Sequence, residues 1–319
     1  MKNFAIIGVA GYIAPRHLKA IKDTNNQLVA ALDKSDSVGI IDSFFPDADF
    51  FTEFERFDRH LERLRRKEPE RAVHYVSICS PNYLHDAHCR FALRIGADAI
   101  CEKPLVLNPW NIDALKDAEE EYGHKIYTVL QLRLHPEILK LKEQIEQNKT
   151  DSLYDIDLTY VTARGRWYFY SWKGIEDKSG GIATNIGVHF FDMLSWIFGP
   201  PLKNIVHLRR PNVAAGYLEL KKARVRWFLS LRFEDLPQET LSNRKRSYRW
   251  IEINGEPFDF TDGFLDLHTR IYEEVLKGNG FRLDDNRDAT NIVYNIRKGE
   301  IRPRAGDVHP KAVKLLGEV

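Results

Sequence analysis

Over its first 130 residues the chain alternates two kinds of segment, and this rhythm limits the possible folds more than any other feature. Short runs rich in β-branched and apolar residues occur at Asn3–Gly8, Gln27–Asp33, His74–Ser80, Asp98–Cys101 and Lys125–Gln131. Charged stretches with helical character lie between them, at Pro15–Thr24, Phe54–Lys67, Leu84–Ile95 and Asn108–Tyr122. Strands separated by helices are joined by crossovers rather than hairpins, so the pattern predicts a doubly wound parallel sheet covered on both faces. Pro15 suits a first helical turn, and Gly96 and Gly123 stand where helices should stop.

Past about residue 150 strand-like runs dominate, at Tyr154–Ala163, Lys203–Arg210, Ala214–Leu220, Arg224–Phe233 and Ser247–Ile253. Asn254-Gly255 is a hairpin signal, because both residues tolerate positive φ. Helix candidates are Thr184–Phe198, Phe264–Leu276 and Asp285–Ile296. The expected fold is α/β over 1–130, followed over 131–319 by an α+β domain whose large, open, mostly antiparallel sheet carries helices on one face. The Pro- and charge-rich stretch after Gly299 reads as a tail with a mobile end.

Composition narrows the function. Lys+Arg 47 against Asp+Glu 46 leaves net +1, so no global field draws nucleic acid or an anionic membrane. No apolar stretch reaches the roughly 18–20 residues a membrane helix needs, and MKNFAIIGVAGYIA reads as a buried strand and turn rather than a leader. Three cysteines without a CxxC suggest reduced thiols and a cytoplasmic protein. His85-x-x-His88-Cys89 with Cys79 and Cys101 lacks paired knuckle spacing, so no metal site is expected.

Three constellations could carry chemistry. The turn Gly8-Val9-Ala10-Gly11-Tyr12-Ile13 follows the first strand and is a degenerate G-x-G-x-x-G, with Ala10 at the second glycine. Such a turn lets backbone approach a pyrophosphate at a helix N-terminus. Asp33 ends the second strand 25 residues after Gly8, where a carboxylate accepts from a ribose and disfavours an extra phosphate. The pair predicts NAD; the competing reading is a glycine turn beside a surface Asp.

Ser80-Pro81-Asn82-Tyr83-Leu84-His85 and Glu102-Lys103-Pro104 stand at two further strand ends, where open α/β sheets gather ligands. In the helix Thr184–Phe198, Asn185, His189 and Asp192 form a polar stripe beside the apolar stripe Ile186, Phe190, Met193, Leu194 and Ile197. A histidine that titrates near neutrality is a common general base. Upstream, the aromatic and cationic segment from Arg164 to Gly174 reads equally as pocket wall or core edge.

In order along the chain, these residues resemble the Gfo/Idh/MocA oxidoreductase family. The resemblance covers nearly the whole sequence. It rests on the Gly8–Ala14 turn, Ser80-Pro81-Asn82 with His85, Glu102-Lys103-Pro104, and Gly180-Gly181 with Asn185, His189 and Asp192. Within the family, the runs GYIAPRH, CSPNYLH, SWKG, ATNIGVHF and ARVRWFLS are similar to the UDP-N-acetyl-2-amino-2-deoxyglucuronate dehydrogenases of bacterial surface-polysaccharide (O-antigen) synthesis. Many members have Asp where this chain has Asn185; an Asn cannot take a proton, and it favours this subgroup over polyol dehydrogenases.

The resemblance implies a Rossmann domain with NAD contacts at Gly8, Ala10, Gly11, Tyr12, Ile13, Asp33, Ser80, Asn82, His85, Glu102, Lys103 and Gln131, and with Trp172 near the nicotinamide. It implies oxidation of the 3-hydroxyl of a UDP-sugar, UDP-N-acetylglucosaminuronic acid (UDP-GlcNAcA), by Lys103 and His189, either of which could be the base. Asn185, Lys173, Arg164 and Arg166 would hold the substrate. In such members, which form homotetramers, NADH can stay bound and be reoxidised by 2-oxoglutarate. The rivals are dehydrogenation of another sugar or polyol, and an NAD-binding regulator without catalysis.

Overall fold

The computed structural model describes residues 1–148, 152–260 and 266–317, which cluster into two compact units. The first comprises Met1–Leu134 together with Phe264–Arg287, and the second His135–Gly263 together with Asp288–Val319. Against a boundary expected at 130/131, the first unit runs four residues further and takes back a segment from late in the chain.

The first unit is built on a parallel sheet of β1 (Asn3–Ile7), β2 (Gln27–Leu32), β3 (Asp49–Phe51), β4 (Tyr75–Ile78), β5 (Asp98–Cys101) and β6 (Ile126–Thr128), in the order β3-β2-β1-β4-β5-β6. The order reverses beside β1, so the crevice of the sheet opens at the carboxyl ends of β1 and β4. Helices Phe54–Lys67, His85–Arg94 and Trp110–Tyr122 bury Phe57, Leu61, Cys89, Ile112 and Leu115 against one face. The other face packs Phe4 and Ile6 against Leu18 and Ile21 of helix Ala14–Asp23 and against Ile271, Tyr272 and Val275 of helix Leu267–Leu276. That last helix is where the returning segment docks. The expected helix at Phe264 is seen from Leu267; residues 264 and 265 lie outside the described residues.

The second unit carries β7 (Tyr154–Thr162), β8 (Pro201–Arg210), β9 (Val213–Leu220), β10 (Ala223–Ser230), β11 (Ser247–Ile253) and β12 (Glu256–Pro257), ordered β12-β11-β7-β10-β9-β8. Every pairing is antiparallel except β7 with β10, which are parallel. Arg226 on β10 and Asp157 on β7 lie in register across that pair and bond bidentately at 2.6 and 2.8 Å. Asn254 and Gly255 both have positive φ, 52° and 83°, as the β11–β12 turn requires.

Helices lie on both faces of this sheet, not one. Phe191 of helix Val188–Phe198 meets Trp227 edge-on. Successive residues point to opposite faces, and Phe228 instead packs with Ala312 and Leu315 of helix Pro310–Leu316. The stretch after Gly299, expected as a tail, is thus tied down through residue 316 by an apolar face that its prolines and charges conceal.

Candidate functional site

In the first unit three polar turns leave three neighbouring strands. After β1, Gly8 adopts φ +89°, and a Cβ there would meet the backbone of Cys79 and Ser80 at 2.7–2.8 Å. Only glycine combines that conformation with that approach. Gly11 is nearly as confined, its imaginary Cβ lying 3.0 Å from the Gly8 carbonyl oxygen. Ala10, at the fingerprint's second glycine, is exposed, and its N–H donates to Asp33 Oδ2 at 3.0 Å. Ser35 N–H donates to the other oxygen at 2.9 Å, so Asp33 holds the turn as well as facing it. Tyr12 is 91% exposed and Ile13 half-buried at the helix start, where Pro15 takes its expected place in the first turn of Ala14–Asp23.

After β4 and β5 the turns are locked together. His85 is buried, with its ring nitrogens 2.7 Å from the Pro104 carbonyl oxygen and 2.8 Å from that of Ser80. Ser80 Oγ bonds His88 Nδ1 at 2.8 Å. Burial lowers the pKa of both histidines, that of His88 to about 4. His85 therefore staples the turn bearing Lys103 to the turn bearing Asn82, itself buried. Lys103 is half-buried, and its ammonium has no hydrogen-bond or ion-pair partner among the described residues.

Glu102, next in sequence, is buried and accepts from His17 Nε2 and His268 Nε2 at 3.0 Å each, both on Oε1. Burial alone would raise its pKa, but the two hydrogen bonds outweigh that and hold the carboxyl well below its ordinary range. His17 and His268 carried no motif signal in the sequence. The three ligand-type atoms lie within 4.8 Å of one another, near enough for a shared ion, but 3.0 Å contacts are those of N–H···O bonds. Gln131, beyond β6, keeps Oε1 buried without a hydrogen-bond partner among the described residues.

In the second unit the expected single helix Thr184–Phe198 is two pieces. Ala183–Gly187 forms a π turn, and the α-helix runs from Val188 to Phe198. Gly187 sits at the joint, where a Cβ would lie 2.6 Å from Leu229 Cδ1. Asn185, inside the π turn, and His189 are half-buried, whereas Asp192, three residues further along the α-helix, is buried at 2% exposure. Asn185 Nδ2 donates to Tyr168 Oη at 2.6 Å. His189 lies edge-on to Tyr160 and beside Phe190, with centroids 6.0 and 4.1 Å away.

Lys173 Nζ stands 4.3 Å over the Trp172 ring, a cation–π contact that engages both residues. Lys173 also lines a cavity of about 190 Å³ together with Tyr168, Gly181, Arg209, Arg210 and Arg297. The three arginines were missed in the sequence because they stand far from the aromatic segment. Arg164 is half-buried and Arg166 exposed, and neither lines that cavity.

Fold and turns together define a two-unit protein with a dinucleotide-type crevice in its parallel sheet. The chain belongs to the Gfo/Idh/MocA oxidoreductase family: residues 2–130 match its NAD-binding Rossmann fold and residues 142–274 its C-terminal alpha/beta domain. The structure is similar to the WlbA (WbpB) dehydrogenase of Thermus thermophilus in complex with NAD and alpha-ketoglutarate. Identity is 52%, with TM-score 0.93, over 98% of this chain and 100% of that one. The same dehydrogenase in complex with NAD and UDP-GlcNAcA gives 51% and 0.92 over the same shares.

Among curated proteins, the D-glucoside 3-dehydrogenase of Escherichia coli is 28% identical over 41% of this chain and 37% of its own length. The glucose-6-phosphate 3-dehydrogenase of Bacillus subtilis is 24% identical over 62% and 54%. The chain spans about half the length of the curated relatives it matches. NAD fits the first unit on its own terms: Gly8 leaves a cradle that a Cβ would fill, Asp33 stands at its edge, and Gln131 offers a buried acceptor.

Proposed function

We propose that the protein oxidises the sugar 3-hydroxyl of UDP-GlcNAcA to the 3-keto sugar nucleotide, with NAD as cofactor. The observation that carries this reading is full-length similarity at 51% identity to a dehydrogenase solved with NAD and that sugar nucleotide. The residues agree with it. Gly8, Ala10, Gly11 and Ile13 would present backbone to the pyrophosphate, with Tyr12 beside it. Asp33 would accept from the adenosine ribose, and Ser80, Asn82, His85, Glu102, Lys103, Gln131 and Trp172 would border the rest of the dinucleotide. When bound, NAD accepts the hydride that leaves C3.

The chain's own groups handle the proton. Lys103 and His189 are the two groups assigned to it. One of them takes the O–H proton as the C3 hydride departs, and a protonated Lys103 stabilises the developing alkoxide. Asn185, fixed by Tyr168, orients the sugar. Lys173, Arg164 and Arg166 hold the uronate or the diphosphate; Lys173 is favoured among them by its place on the cation-lined cavity. We further infer that 2-oxoglutarate reoxidises the NADH, that the protein works in the cytoplasm as a homotetramer, and that its product feeds surface-polysaccharide synthesis. No described helix is long and apolar enough to cross a membrane.

The test mixes purified protein, NAD and UDP-GlcNAcA, with and without 2-oxoglutarate, and follows 340 nm absorbance and the product mass. A sugar nucleotide lighter by two hydrogens is expected, and Lys103→Ala and His189→Ala should each lose turnover by about 100-fold or more. Wild-type turnover in both variants would overturn the mechanism. Absence of product with NAD bound would return the choice to another sugar or a regulator.

A further inference from the structure

The Glu102 contacts are one end of a longer buried chain. Ser77 Oγ lies 2.5 Å from Tyr272 Oη, Tyr272 Oη lies 2.8 Å from His17 Nδ1, and His17 Nε2 and His268 Nε2 each lie 3.0 Å from Glu102 Oε1. None of the five residues exceeds 6% exposure.

The direction of each proton follows from the anion at the end. An ionised carboxylate only accepts, so both Nε2 atoms carry hydrogen. Burial lowers the His17 pKa despite its contact with Glu102, which keeps the ring neutral and makes Nδ1 an acceptor. Tyr272 therefore donates to His17, and Ser77 donates to Tyr272. From Ser77 through Tyr272 and His17 each donor meets an acceptor, and the dipoles of that branch point toward Glu102. A buried carboxylate is costly unless donors support it; two reach this one directly, and the chain behind them joins three distant places. His17 lies on the helix that follows the glycine turn, Ser77 on β4, and His268 with Tyr272 on the returning segment. The Oε2 atom of Glu102 accepts no hydrogen bond from the described residues.

We propose that His17 and His268 are positioning residues for the reaction. They hold Glu102 as a fixed anion and, through its peptide bond to Lys103, hold the lysine-bearing turn in place for proton transfer. The proposal rests on the role given to Lys103 above.

Phe and Gln substitutions at both histidines test it. Phe keeps a ring but removes the N–H donor, leaving the buried Glu102 one supporting bond instead of two, so that its carboxyl takes up a proton nearer neutral pH. His17→Phe and His268→Phe should lower kcat by about 10- to 100-fold, the scale of a misplaced reacting group, and should move the acid limb of the kcat–pH profile upward. His17→Gln and His268→Gln retain a donor and should recover most of the turnover at the wild-type pH profile. A purely structural role would lower the stability of both pairs alike and leave the profile in place.

Phe variants that fold, bind NAD, and keep wild-type kcat and pH profile would overturn the proposal. If they do not fold, Glu102→Gln decides: a loss of about tenfold or more is expected, and wild-type kcat overturns it. Lys103→Ala in the same assay separates the two levels. Wild-type turnover there removes the reading beneath the proposal, whereas loss there with fully active histidine variants removes the proposal alone.

Discussion

At the residue scale the sharpest constraint is Gly8. A side chain there must adopt φ +89° and displace backbone rather than a flexible side-chain tip, because the obstructing atoms are Cys79 C and O and Ser80 N. The left-handed conformation alone costs about 1–2 kcal/mol for an L-residue, and the backbone shift adds to it. Gly8→Ala is expected to lower the melting temperature and to weaken NAD binding at least tenfold, read by calorimetry and by NADH fluorescence titration. Tyr168→Phe is a milder test on the sugar side. It removes the 2.6 Å acceptor of the Asn185 amide, and one such bond is worth about 1 kcal/mol. KM for UDP-GlcNAcA should rise roughly fivefold with NAD affinity unchanged; an unchanged KM would remove Asn185 from sugar orientation. Gly8 and Asn185 were legible in the sequence because each belongs to a local pattern. Tyr168 appeared only as one aromatic among many, since its value depends on which ring points inward.

At the scale of elements, strands with strong apolar runs were readable almost to their ends, and Asp98–Cys101 and Ser247–Ile253 match their expected bounds. The edge strand Asp49–Phe51 was not, because three half-buried residues carry no periodicity. Nor was the π turn, since ATNIG has nothing in its composition that forbids an α-helix. At the joint, Gly187 packs tightly, with Leu229 Cδ1 2.6 Å and Phe191 Cε2 3.0 Å from where a Cβ would stand. Gly187→Ala should cost about 1–3 kcal/mol as an overpacked core site. Because the same joint sets the phase between Asn185 and His189, turnover should fall along with stability. A variant with wild-type melting temperature and kcat would show that the joint accommodates a methyl group and that its shape is incidental.

At the scale of the whole molecule, the least legible feature is the return of Phe264–Arg287 to the first unit. His17 meets His268 and Tyr272 across some 250 positions, and no local pattern announces such a pairing. Both units nonetheless share one device, buried histidines kept neutral. His309 in the second unit accepts from Lys311 N–H on Nδ1, which leaves Nε2–H to donate to Thr159 Oγ1 at 3.0 Å. Burial lowers its pKa to about 4, as it does that of His88 in the first unit. An unfolded histidine binds its proton near pH 6.5. As pH falls below that value the unfolded chain takes up protons that the fold refuses, and stability declines until about pH 4, by an order of 2–3 kcal/mol for each such histidine. The lowered carboxyl of Glu102 acts in a separate window: its contribution is complete above about pH 4.3 and is lost only below. The melting temperature should therefore fall steadily between about pH 7 and 5, above the window in which Glu102 acts. His309→Asn keeps an acceptor for the Lys311 amide and removes the titration, so its melting temperature should fall less steeply over the same range. Parallel curves for wild type and variant would mean that His309 takes its proton without opening the fold.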